Sequence, residues 1–378
     1  ARLGPRSVPV GDPGLTGRMK AVPSRERVWV AISGGVDSSV AAWLLKEQGY
    51  AVTGVTMCLG IREVDERVRC CGREAIEDAR RVCDVIGIPH YVMDFAQALE
   101  TEVIDRFVRE YLRGRTPNPC IDCNRHLKFG RMLAQARALG FSFLATGHYA
   151  RIEGTGGQWR LLRARDRGKD QTYFLYPIPA ADLASILFPL ADLTKDDVRE
   201  LARKAALPVA EKPESQDLCF VPAGGYGELI RERGGDVRPG PIVDRRGRVL
   251  GEHRGTIHYT IGQRTGLRIS APRPLFVTGI DVAGNRIVVG ERAEVRAPGL
   301  VAGGMNWFVP ACPPEADVKI RYRKRAVPGR ITPEGEGIRI DFAEPQEAVT
   351  PGQAVVLYRG DEVLGGGVIE AVLPAAEP

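Results

Sequence analysis

A glycine-rich turn between a predicted strand and a predicted helix constrains this chain more than any other stretch. The turn has the sequence AISGGVDSS at residues 31–39. The apolar run at 28–30 predicts a buried strand before it, and residues 40–46 predict a helix after it. Gly34 and Gly35 permit a close approach of the backbone, so N–H groups and the positive end of the helix dipole can face one spot. The stretch therefore predicts a phosphate-binding loop.

The loop differs from two common phosphate-binding patterns. It has no lysine, which excludes the GxxxxGK[ST] pattern, and it does not fit GxGxxG. Ser33, Ser38 and Ser39 add hydroxyl donors. The carboxylate of Asp37 would repel a bare phosphate, so we expect it near a magnesium ion or near the leaving group of a nucleotide. The alternative is an ordinary Gly-Ser turn without a ligand.

The composition is that of an ordinary soluble globular protein with two or three domains. The chain has 378 residues, of which 44% are apolar and 26% are charged. No run approaches the roughly 20 apolar residues that a membrane-spanning helix needs, so we expect no membrane partner. The net charge of +6 permits an anionic partner such as nucleic acid without identifying one.

The first 25 residues predict a disordered N-terminal extension. They are rich in proline, glycine and arginine and lack a core pattern. Because Met19 shortly precedes the first predicted strand, we interpret residues 1–18 as an extension or a start-site artefact. A transit peptide is the alternative, but the stretch has no amphipathic pattern.

Strand and helix patterns alternate over residues 26–223. Predicted strands at 51–57, 91–93 and 141–145 alternate with predicted helices such as 73–86, 97–112 and one opening at Thr194. Such alternation predicts a parallel sheet covered by helices, with ligands at the carboxyl ends of the strands. The glycine-rich loop, Met57 and Gly147 all fall at such ends.

After about residue 222 the pattern changes to short β-branched runs punctuated by glycine and proline. Runs at 241–243, 248–250 and 286–289 show this clearly, and the same pattern of short β-branched runs continues from 318 to 368. We predict two small β-rich domains, at 224–294 and 295–378, the second a β-barrel.

Eight irregularly spaced cysteines predict reduced thiols in a cytosolic protein rather than a disulfide scaffold. They are Cys58, Cys70, Cys71, Cys83, Cys120, Cys123, Cys219 and Cys312. A helix predicted from about Asn124 would place Cys123 at its N-terminus, where the dipole and nearby cations lower the pKa of a thiol. Cys219 lies in a predicted loop between two prolines. The alternatives are inert buried thiols, which we favour for Cys58, Cys83 and Cys312, and a zinc site, which lacks a second matching pair.

Seven motifs together resemble the tRNA-specific 2-thiouridylases of the MnmA type. They are SGGVDSS, TPNPCIDCN, LKFG, ATGHYAR, KDQTYFLY, ESQDLCF and YTIGQRTGL, and they keep the order of that family over about 26–372. The resemblance implies an α/β fold. Its adenine-nucleotide-hydrolase-like domain, with a pyrophosphatase loop (PP-loop), spans 26–223 and precedes the two β-rich domains.

The same resemblance implies an activity and its cofactors. Family members use ATP and Mg²⁺ to adenylate the 2-carbonyl oxygen of the wobble uridine in tRNA. A cysteine persulfide then supplies sulfur, AMP leaves, and a disulfide forms as the sulfur is released. The expected partners are tRNAs of the Lys, Glu and Gln types and a persulfide donor, such as a cysteine desulfurase or a sulfur relay protein, in the cytoplasm.

The resemblance also implies a role for each residue of this chain that matches a functional position in the family motifs. The residues that would hold ATP are Ala31, Ile32, Ser33, Gly34, Gly35, Val36, Asp37, Ser38, Met57 and Gly147. Cys123 matches the catalytic nucleophile, Cys219 matches the persulfide carrier, and Asp37 counts with the catalytic groups. The residues that would surround the target base are Asn118, Pro119 and Cys120. The residues that would contact tRNA are His148, Lys169, Asp170, Gln171, Arg321, Tyr322 and Gln353.

One position departs from the commonest family pattern, because many members have aspartate where this chain has Cys120. With this third thiol, Cys120, Cys123 and Cys219 could hold an iron–sulfur cluster, which is the alternative to persulfide chemistry.

The basic segment 317–330 has two interpretations. It either contacts RNA through its cations and its tyrosine, or it is a solvated strand face.

Two rival functions remain open from the residues alone. One is another adenylating PP-loop enzyme, such as an amidotransferase-linked synthetase or a lysidine synthase, which needs no pair of thiols. The other is a non-catalytic module that binds a nucleotide and RNA.

Overall fold

The computed structural model describes residues 26–60, 73–155, 157–214, 218–221, 225–235 and 237–374. The predicted disorder of residues 1–25 and the pair Cys70-Cys71 lie outside this part of the chain. Among the described residues, no helix is both long and apolar enough to cross a membrane.

Helices are concentrated in the first 232 residues. Their bounds are α1 (Val36–Glu47), α2 (Arg73–Ile86), α3 (Ala96–Leu99), α4 (Asp105–Leu112), α5 (Pro119–Asp122), α6 (Leu133–Ala138), α7 (Thr172–Leu175), α8 (Lys195–Lys204) and α9 (Tyr226–Glu232). A π-helical segment, Glu100–Ile104, joins α3 to α4, and a second, Cys123–Met132, joins α5 to α6. Short 3₁₀ turns lie at Ala180–Ser185, Thr256–His258 and Arg292–Val295.

The strands of the described residues form three sheets. In the first half they are β1 (Arg27–Ala31), β2 (Ala51–Cys58), β3 (His90–Asp94), β4 (Phe143–Thr146), β5 (Ala150–Thr155), β6 (Gln158–Arg163) and β7 (Ile186–Leu187). In the second half they are β8 (Gly240–Asp244), β9 (Val249–His253), β10 (Phe276–Asp281), β11 (Arg286–Gly290), β12 (Arg296–Trp307), β13 (Glu315–Lys319), β14 (Val327–Glu334), β15 (Gly337–Glu347), β16 (Ala354–Arg359) and β17 (Glu362–Val372).

The predicted parallel sheet is confirmed, with strand order β3-β2-β1-β4-β7. Val28 and Val30 in β1 are fully buried and Trp29 is 2% exposed, because helices cover both faces of the sheet. Ala31 pairs with Val55 on one side and with Thr146 on the other. The loops after β1, β2 and β4 therefore emerge at one edge.

The predicted C-terminal barrel is also confirmed. Its strands follow the order β12-β15-β14-β13-β16-β17, and a pairing between β12 and β17 closes the cylinder. Alternate side chains such as Leu300, Ile340 and Leu357 fill its interior. The preceding β-rich unit has the order β10-β11-β8-β9.

A hairpin that the sequence analysis did not predict ties the first domain to the barrel. β5 and β6 pair with each other, and Leu162 of β6 pairs with Glu362 of β17. The sheet of the barrel thus continues into the first domain. This fixes the barrel beside the carboxyl edge of the parallel sheet.

Candidate nucleotide and thiol site

The predicted phosphate loop connects the carboxyl end of β1 to the first turn of α1. Gly34 has φ +72°, and a Cβ there would lie 2.4 Å from the carbonyl oxygen of Ala75, so the position requires glycine. The backbone N–H of Ser33 donates to Oγ of Ser38 at 3.1 Å, which holds the loop closed over the helix start. Gly35 caps α1 without a side chain. N–H groups of the first turn can therefore face an anion.

The other predicted ATP residues gather around this loop. Ile32 and Val36 are 2% and 4% exposed, so only their backbone atoms can reach a ligand. Met57 is half-buried near the carboxyl end of β2. A Cβ at Gly147 would lie 2.6 Å from the backbone nitrogen of Ser38, so the residue after β4 packs directly on the loop.

A chain of alternating charges leads away from the loop. Nζ of Lys195 lies 2.7 and 2.8 Å from the two carboxylate oxygens of Asp37. The Tyr149 hydroxyl also donates to Asp37, at 2.9 Å. Lys195 contacts Oε1 of Glu214 at 2.9 Å, and Lys169 contacts both oxygens of Glu214 at 2.9 and 2.7 Å. The two lysines hold the pKa of Glu214 at about 2.

The sequence analysis missed three of these groups: Lys195, Glu214 and Tyr149. Lys195 supplies the ammonium that the loop itself lacks, from the first residue of α8. Asp166 positions both lysines, because its carboxylate accepts the backbone N–H of Lys195 at 3.0 Å and that of Lys169 at 3.1 Å. The sequence signal for Lys195 was its place directly after Thr194, which caps α8.

The helix that carries two of the candidate thiols begins earlier than predicted. Asn118 caps α5 by accepting the backbone N–H of Cys120 at 3.2 Å, and Pro119 is the first helical residue. The predicted start near Asn124 is therefore wrong. Cys123 is the first residue of the π-helical segment, one turn inside the helix, where it gains little from the dipole.

The predicted lowering of the thiol pKa is also wrong. Desolvation raises the pKa of Cys123, and the neighbouring Asp122 raises it further, while Lys128 acts in the opposite direction. Desolvation likewise raises the pKa of Cys120, again opposed by Lys128, although part of this residue's surface is exposed. Lys128 is thus the cation that both thiols share. Neither Cys120 nor Cys123 is in a disulfide.

Cys219 lies on an exposed turn that packs against α4. The backbone N–H of Val221 donates to the carbonyl of Leu218 at 3.2 Å, which closes the turn. Phe220 is 6% exposed and meets Phe107 edge to face, with 5.4 Å between ring centroids. The aromatic contact anchors the turn and leaves Cys219 at its surface.

The structure shows no metal site at Cys120, Cys123 and Cys219 among the residues it describes. Within the described residues, no group of three or more His, Cys, Asp and Glu side chains is placed to hold a metal ion. Cys120, Cys123 and Cys219 all belong to the residues covered by that statement.

His148 links the phosphate loop to the cysteine-bearing helix. It follows Gly147, its Nδ1 is 2.7 Å from Oγ1 of Thr146, and its ring packs against Phe129 at 5.8 Å between centroids. Burial, with a smaller effect of Lys128, lowers the pKa of His148 well below its ordinary value. The imidazole is therefore neutral at physiological pH.

Two of the predicted tRNA contacts in the first domain have internal partners. Asp170 is 3% exposed and accepts from the backbone and hydroxyl of Thr172, so the structure does not support a direct contact with tRNA. Oε1 of Gln171 accepts the backbone N–H of Tyr149 at 2.9 Å. Lys169 is partly exposed but is held by Glu214.

The predicted tRNA residues of the barrel lie where domains meet. Arg321 donates to the carbonyl of Ile261 at 3.1 Å and to Thr350 at 2.8 Å. Gln353 donates to the carbonyl of Thr116 at 2.7 Å. Tyr322 packs against Phe174 of α7 with the rings tilted by 46° and their centroids 4.5 Å apart. These contacts brace the barrel against the other two domains.

The basic segment 317–330 comprises the end of β13, a turn at 320–326 and the start of β14. Lys319 is 7% exposed, and Nζ of Lys324 donates to the carbonyl of Glu347 at 2.7 Å. Arg323 and Arg325 are exposed. Only part of the predicted stripe is therefore available to an anionic partner, and that part flanks Tyr322 beside α7.

Three families match successive parts of the chain. Residues 26–223 match the "tRNA methyl transferase HUP domain", 229–291 the "tRNA methyl transferase PRC-barrel domain", and 298–369 the "Aminomethyltransferase beta-barrel domain". A parallel sheet with a strand–loop–helix phosphate site, followed by these two β domains, defines the class: a multidomain protein with a nucleotide-binding HUP domain.

Curated relatives are more specific. The chain is 66% identical over 358 residues to the tRNA-specific 2-thiouridylase MnmA 1 of Syntrophus aciditrophicus, covering 95% of this chain and 96% of the relative. It is 50% identical to the MnmA of Carboxydothermus hydrogenoformans, covering 92% and 99%. The chain belongs to the tRNA-specific 2-thiouridylase family.

A solved structure of a 4-thiouridine synthetase–RNA complex with bound ATP also resembles it. That likeness has a TM-score of 0.34 and 16% identity, and it covers 55% of this chain and 50% of the other. A TM-score this low does not support any inference about the fold or the activity of this chain.

Proposed function

We propose that this protein catalyses the ATP-dependent 2-thiolation of the wobble uridine of tRNA. The observation that carries the proposal is the placement of two consecutive residues. Gly147 packs on the phosphate loop, and His148 packs on the helix that bears Cys120 and Cys123. A uridine near the thiols would thus lie beside the α-phosphate of an ATP held by the loop.

The first chemical step activates a poor leaving group. The 2-carbonyl oxygen of uridine attacks the α-phosphate, the α–β bridge breaks, and pyrophosphate leaves. Loop N–H groups and Lys195 stabilise the negative charge on the departing phosphates. Mg²⁺ would supply further charge neutralisation when bound, and the carboxylate of Asp37 would hold it.

The second step exchanges oxygen for sulfur. The terminal sulfur of a persulfide on Cys219 attacks C2, the C2–O bond breaks, and AMP leaves. The thiolate of Cys123 then attacks Sγ of Cys219. This releases 2-thiouridine and forms a Cys123–Cys219 disulfide, which an external thiol must reduce before the next turnover. The proposed steps use thiols alone and need no iron–sulfur cluster.

The expected macromolecular partners follow from this chemistry. Asn118, Pro119 and Cys120 would surround the target base, at the exposed start of the cysteine-bearing helix. The exposed Arg323 and Arg325, the partly exposed Lys169 and the neutral imidazole of His148 would face tRNA. Sulfur would come from a cysteine desulfurase or a relay protein in the cytoplasm, where tRNA and reduced thiols coexist.

A single-turnover assay tests the function. Protein loaded with persulfide is incubated with unmodified tRNA, ATP and Mg²⁺, and wobble nucleosides are analysed by mass. We expect one 2-thiouridine per persulfide, with equal amounts of AMP and pyrophosphate. Product formation in a Cys123→Ser, Cys219→Ser double variant would contradict the proposal and favour an adenylating enzyme that needs no thiols. Binding of ATP and tRNA without pyrophosphate would indicate a non-catalytic module.

A further inference from the structure

Residues 264–275 form a loop in the β-rich unit that precedes the barrel, directly before β10, and we call it the arginine loop. Its sequence, RTGLRISAPRPL, contains three arginines and no acidic residue. All three arginines are exposed, and Arg273 pairs with Glu291 at 3.1 Å. Arg264 and Arg268 form no hydrogen bond or ion pair within the part of the chain that the structure describes. Two guanidinium groups are therefore available to an anionic partner.

Apolar residues anchor the arginine loop to its domain. Leu267 is 5% exposed and belongs to the core of the β-rich unit, and Ile269 packs against the same core. Arg268 lies between these two anchors with φ +55°, a left-handed backbone conformation that is strained for an arginine. Because the residues on both sides are held by the core, the side chain of Arg268 is kept at the surface.

A groove of about 430 Å³ opens at the arginine loop. Its lining combines the three arginines with apolar side chains, among them Ile269, Pro272 and Leu275. The volume lies within the range of about 300–1,000 Å³ that is typical of small-molecule pockets. Guanidinium groups bind phosphate oxygens, and an apolar surface accepts the face of a base. The groove thus offers the two kinds of contact that one nucleotide of single-stranded RNA requires.

The arginine loop begins next to the residues that we expect to surround the target base. Oγ1 of Thr260, four positions before Arg264, lies 2.6 Å from Oγ1 of Thr116, which is two positions before Asn118. Four residues span at most about 14 Å, and two span at most about 7 Å. An RNA strand with its target base at Asn118 would therefore pass close to the groove.

The basic turn of the barrel meets the same junction. The guanidinium of Arg321 donates to the carbonyl of Ile261 at 3.1 Å, three positions before Arg264. The exposed Arg323 and Arg325 follow in the turn at 320–326. The contact between Arg321 and Ile261 thus joins two exposed basic segments from different domains.

We propose that the arginine loop binds a nucleotide of the tRNA that flanks the target uridine. The inference rests on the proposed function, because it assumes that the target base lies at Asn118, Pro119 and Cys120. Arg264 and Arg268 contact the phosphates, and the apolar lining of the groove takes the face of the base. RNA is favoured over an acidic protein because the groove adjoins the target-base residues, and because bases in RNA loops are unstacked and open to such contacts.

The test measures the binding of fluorescently labelled, unmodified tRNA by anisotropy over a range of salt concentrations. Arg264→Ala removes one guanidinium, and Arg268→Asn removes the other with a residue that tolerates the left-handed conformation. We expect the slope of log K against log salt to fall by about one unit for each lost phosphate contact. KM for tRNA should rise, while kcat for pyrophosphate release should not change, because neither arginine contacts the reacting atoms.

A second measurement identifies the bound nucleotide. RNA stem–loops are prepared in which each loop nucleotide other than the target is replaced in turn by an abasic one. With the wild type, we expect the replacement at one position close to the target uridine to weaken binding. With the Arg264→Ala, Arg268→Asn double variant, the same replacement should have a smaller effect, because the nucleotide is no longer held in the groove.

Two further variants separate a contact with RNA from a general effect of charge or folding. Arg248→Ala is the matched control, because Arg248 is an exposed arginine of the same β-rich unit that pairs with Asp244 at 2.7 Å and does not line the groove. It should behave as the wild type. An Arg264→Lys, Arg268→Lys double variant should restore most of the salt slope, because an ammonium also binds phosphate.

An unchanged salt slope in the Arg264→Ala, Arg268→Asn variant, with normal thiolation by the wild type, would overturn this inference and leave the proposed function intact. So would an equal loss of slope in Arg248→Ala. A double variant that keeps the slope but no longer accepts sulfur from a cysteine desulfurase would overturn it in favour of an acidic protein partner. A wild type that neither binds tRNA nor releases pyrophosphate would instead contradict the proposed function, and this inference with it.

Discussion

Nζ of Lys195 lies 2.7 Å from Oδ1 of Asp37, although the two residues are 158 positions apart. The contact joins the first turn of α1 to the first residue of α8. It gives the phosphate loop the cation that its own sequence does not contain. A loop whose own sequence has no lysine thus receives an ammonium group from a helix that lies far away in the sequence.

This contact predicts a large loss of activity on removal of the ammonium. Lys195→Met keeps the length of the side chain but leaves Asp37 and Glu214 without their shared cation. We expect tRNA-dependent release of pyrophosphate to fall on the order of 10²-fold, because a preorganised charge at departing phosphates is lost. Radiolabelled pyrophosphate measures the rate. Lys204→Met, at the exposed far end of α8, is the control and should retain wild-type release; equal losses in both variants would contradict the assignment.

Asp37→Ala tests the other partner of the pair. The substitution removes a charge from the loop and no core volume, so the fold should persist by circular dichroism. Release of pyrophosphate should be abolished, since the carboxylate that orients Lys195 is gone. Full activity in this variant would refute the assignment of residues 33–39 as the ATP loop.

The exposed arginines of the barrel turn predict the salt dependence of tRNA binding. Arg323→Ala and Arg325→Ala should each lower the slope of log K against log salt by about one unit per lost phosphate contact. Arg321→Ala should act differently, because its guanidinium donates to Ile261 and Thr350 and braces two domains. Its effect should appear in thermal stability. An unchanged slope in the Arg323, Arg325 double variant would identify the turn as a solvated surface without an RNA contact.

The sequence predicted elements whose signals are local and missed contacts that depend on distant residues. The loop at 31–39 carries its glycines and hydroxyls in consecutive positions, so its strand–turn–helix context was evident. The place of Lys195 after the Thr194 cap was visible in the sequence, but its contact with the loop was not, because that contact depends on the packing of α8 against α1. The start of α5 was missed although Asn118 and Pro119 are a cap and a first-turn proline, because the sequence analysis placed the start of that helix near Asn124.

Electrostatics at the thiols could not be obtained from sequence for a related reason. Neighbouring cations are visible in a sequence, whereas desolvation depends on packing from all sides. At Cys123 the desolvation effect exceeds that of Lys128, and the sign of the pKa shift reverses. The inward placement of Asp170 and the interdomain bonds of Arg321 likewise arise from the docking of the barrel.

The raised pKa of Cys123 predicts a steep pH dependence of its reactivity. Since the pKa lies above the ordinary thiol value, little thiolate exists near neutral pH, and the alkylation rate should rise as pH increases towards that pKa. Lys128→Gln removes the cation that favours the thiolate, so it should move the profile to higher pH. Peptide-resolved alkylation between pH 6 and pH 10 measures it, and Cys312 supplies the reference. A profile that moves to lower pH would show that Lys128 does not act on this thiol.

Replacement by phenylalanine should affect stability differently at two buried tyrosines, Tyr173 and Tyr176. The Tyr173 hydroxyl donates to the carbonyl of Ala354 at 2.9 Å and lies 3.3 Å from that of Ile320, so it fastens α7 to the barrel. Tyr173→Phe should lower the free energy of unfolding by about 1–2 kcal/mol, because a buried acceptor loses its donor. The Tyr176 hydroxyl is buried and has no hydrogen-bond partner among the described residues, so Tyr176→Phe should be neutral or stabilising. Urea denaturation of both variants under identical conditions measures the difference, and an equal loss of stability in both would contradict the bond to Ala354 as a fastening between the domains.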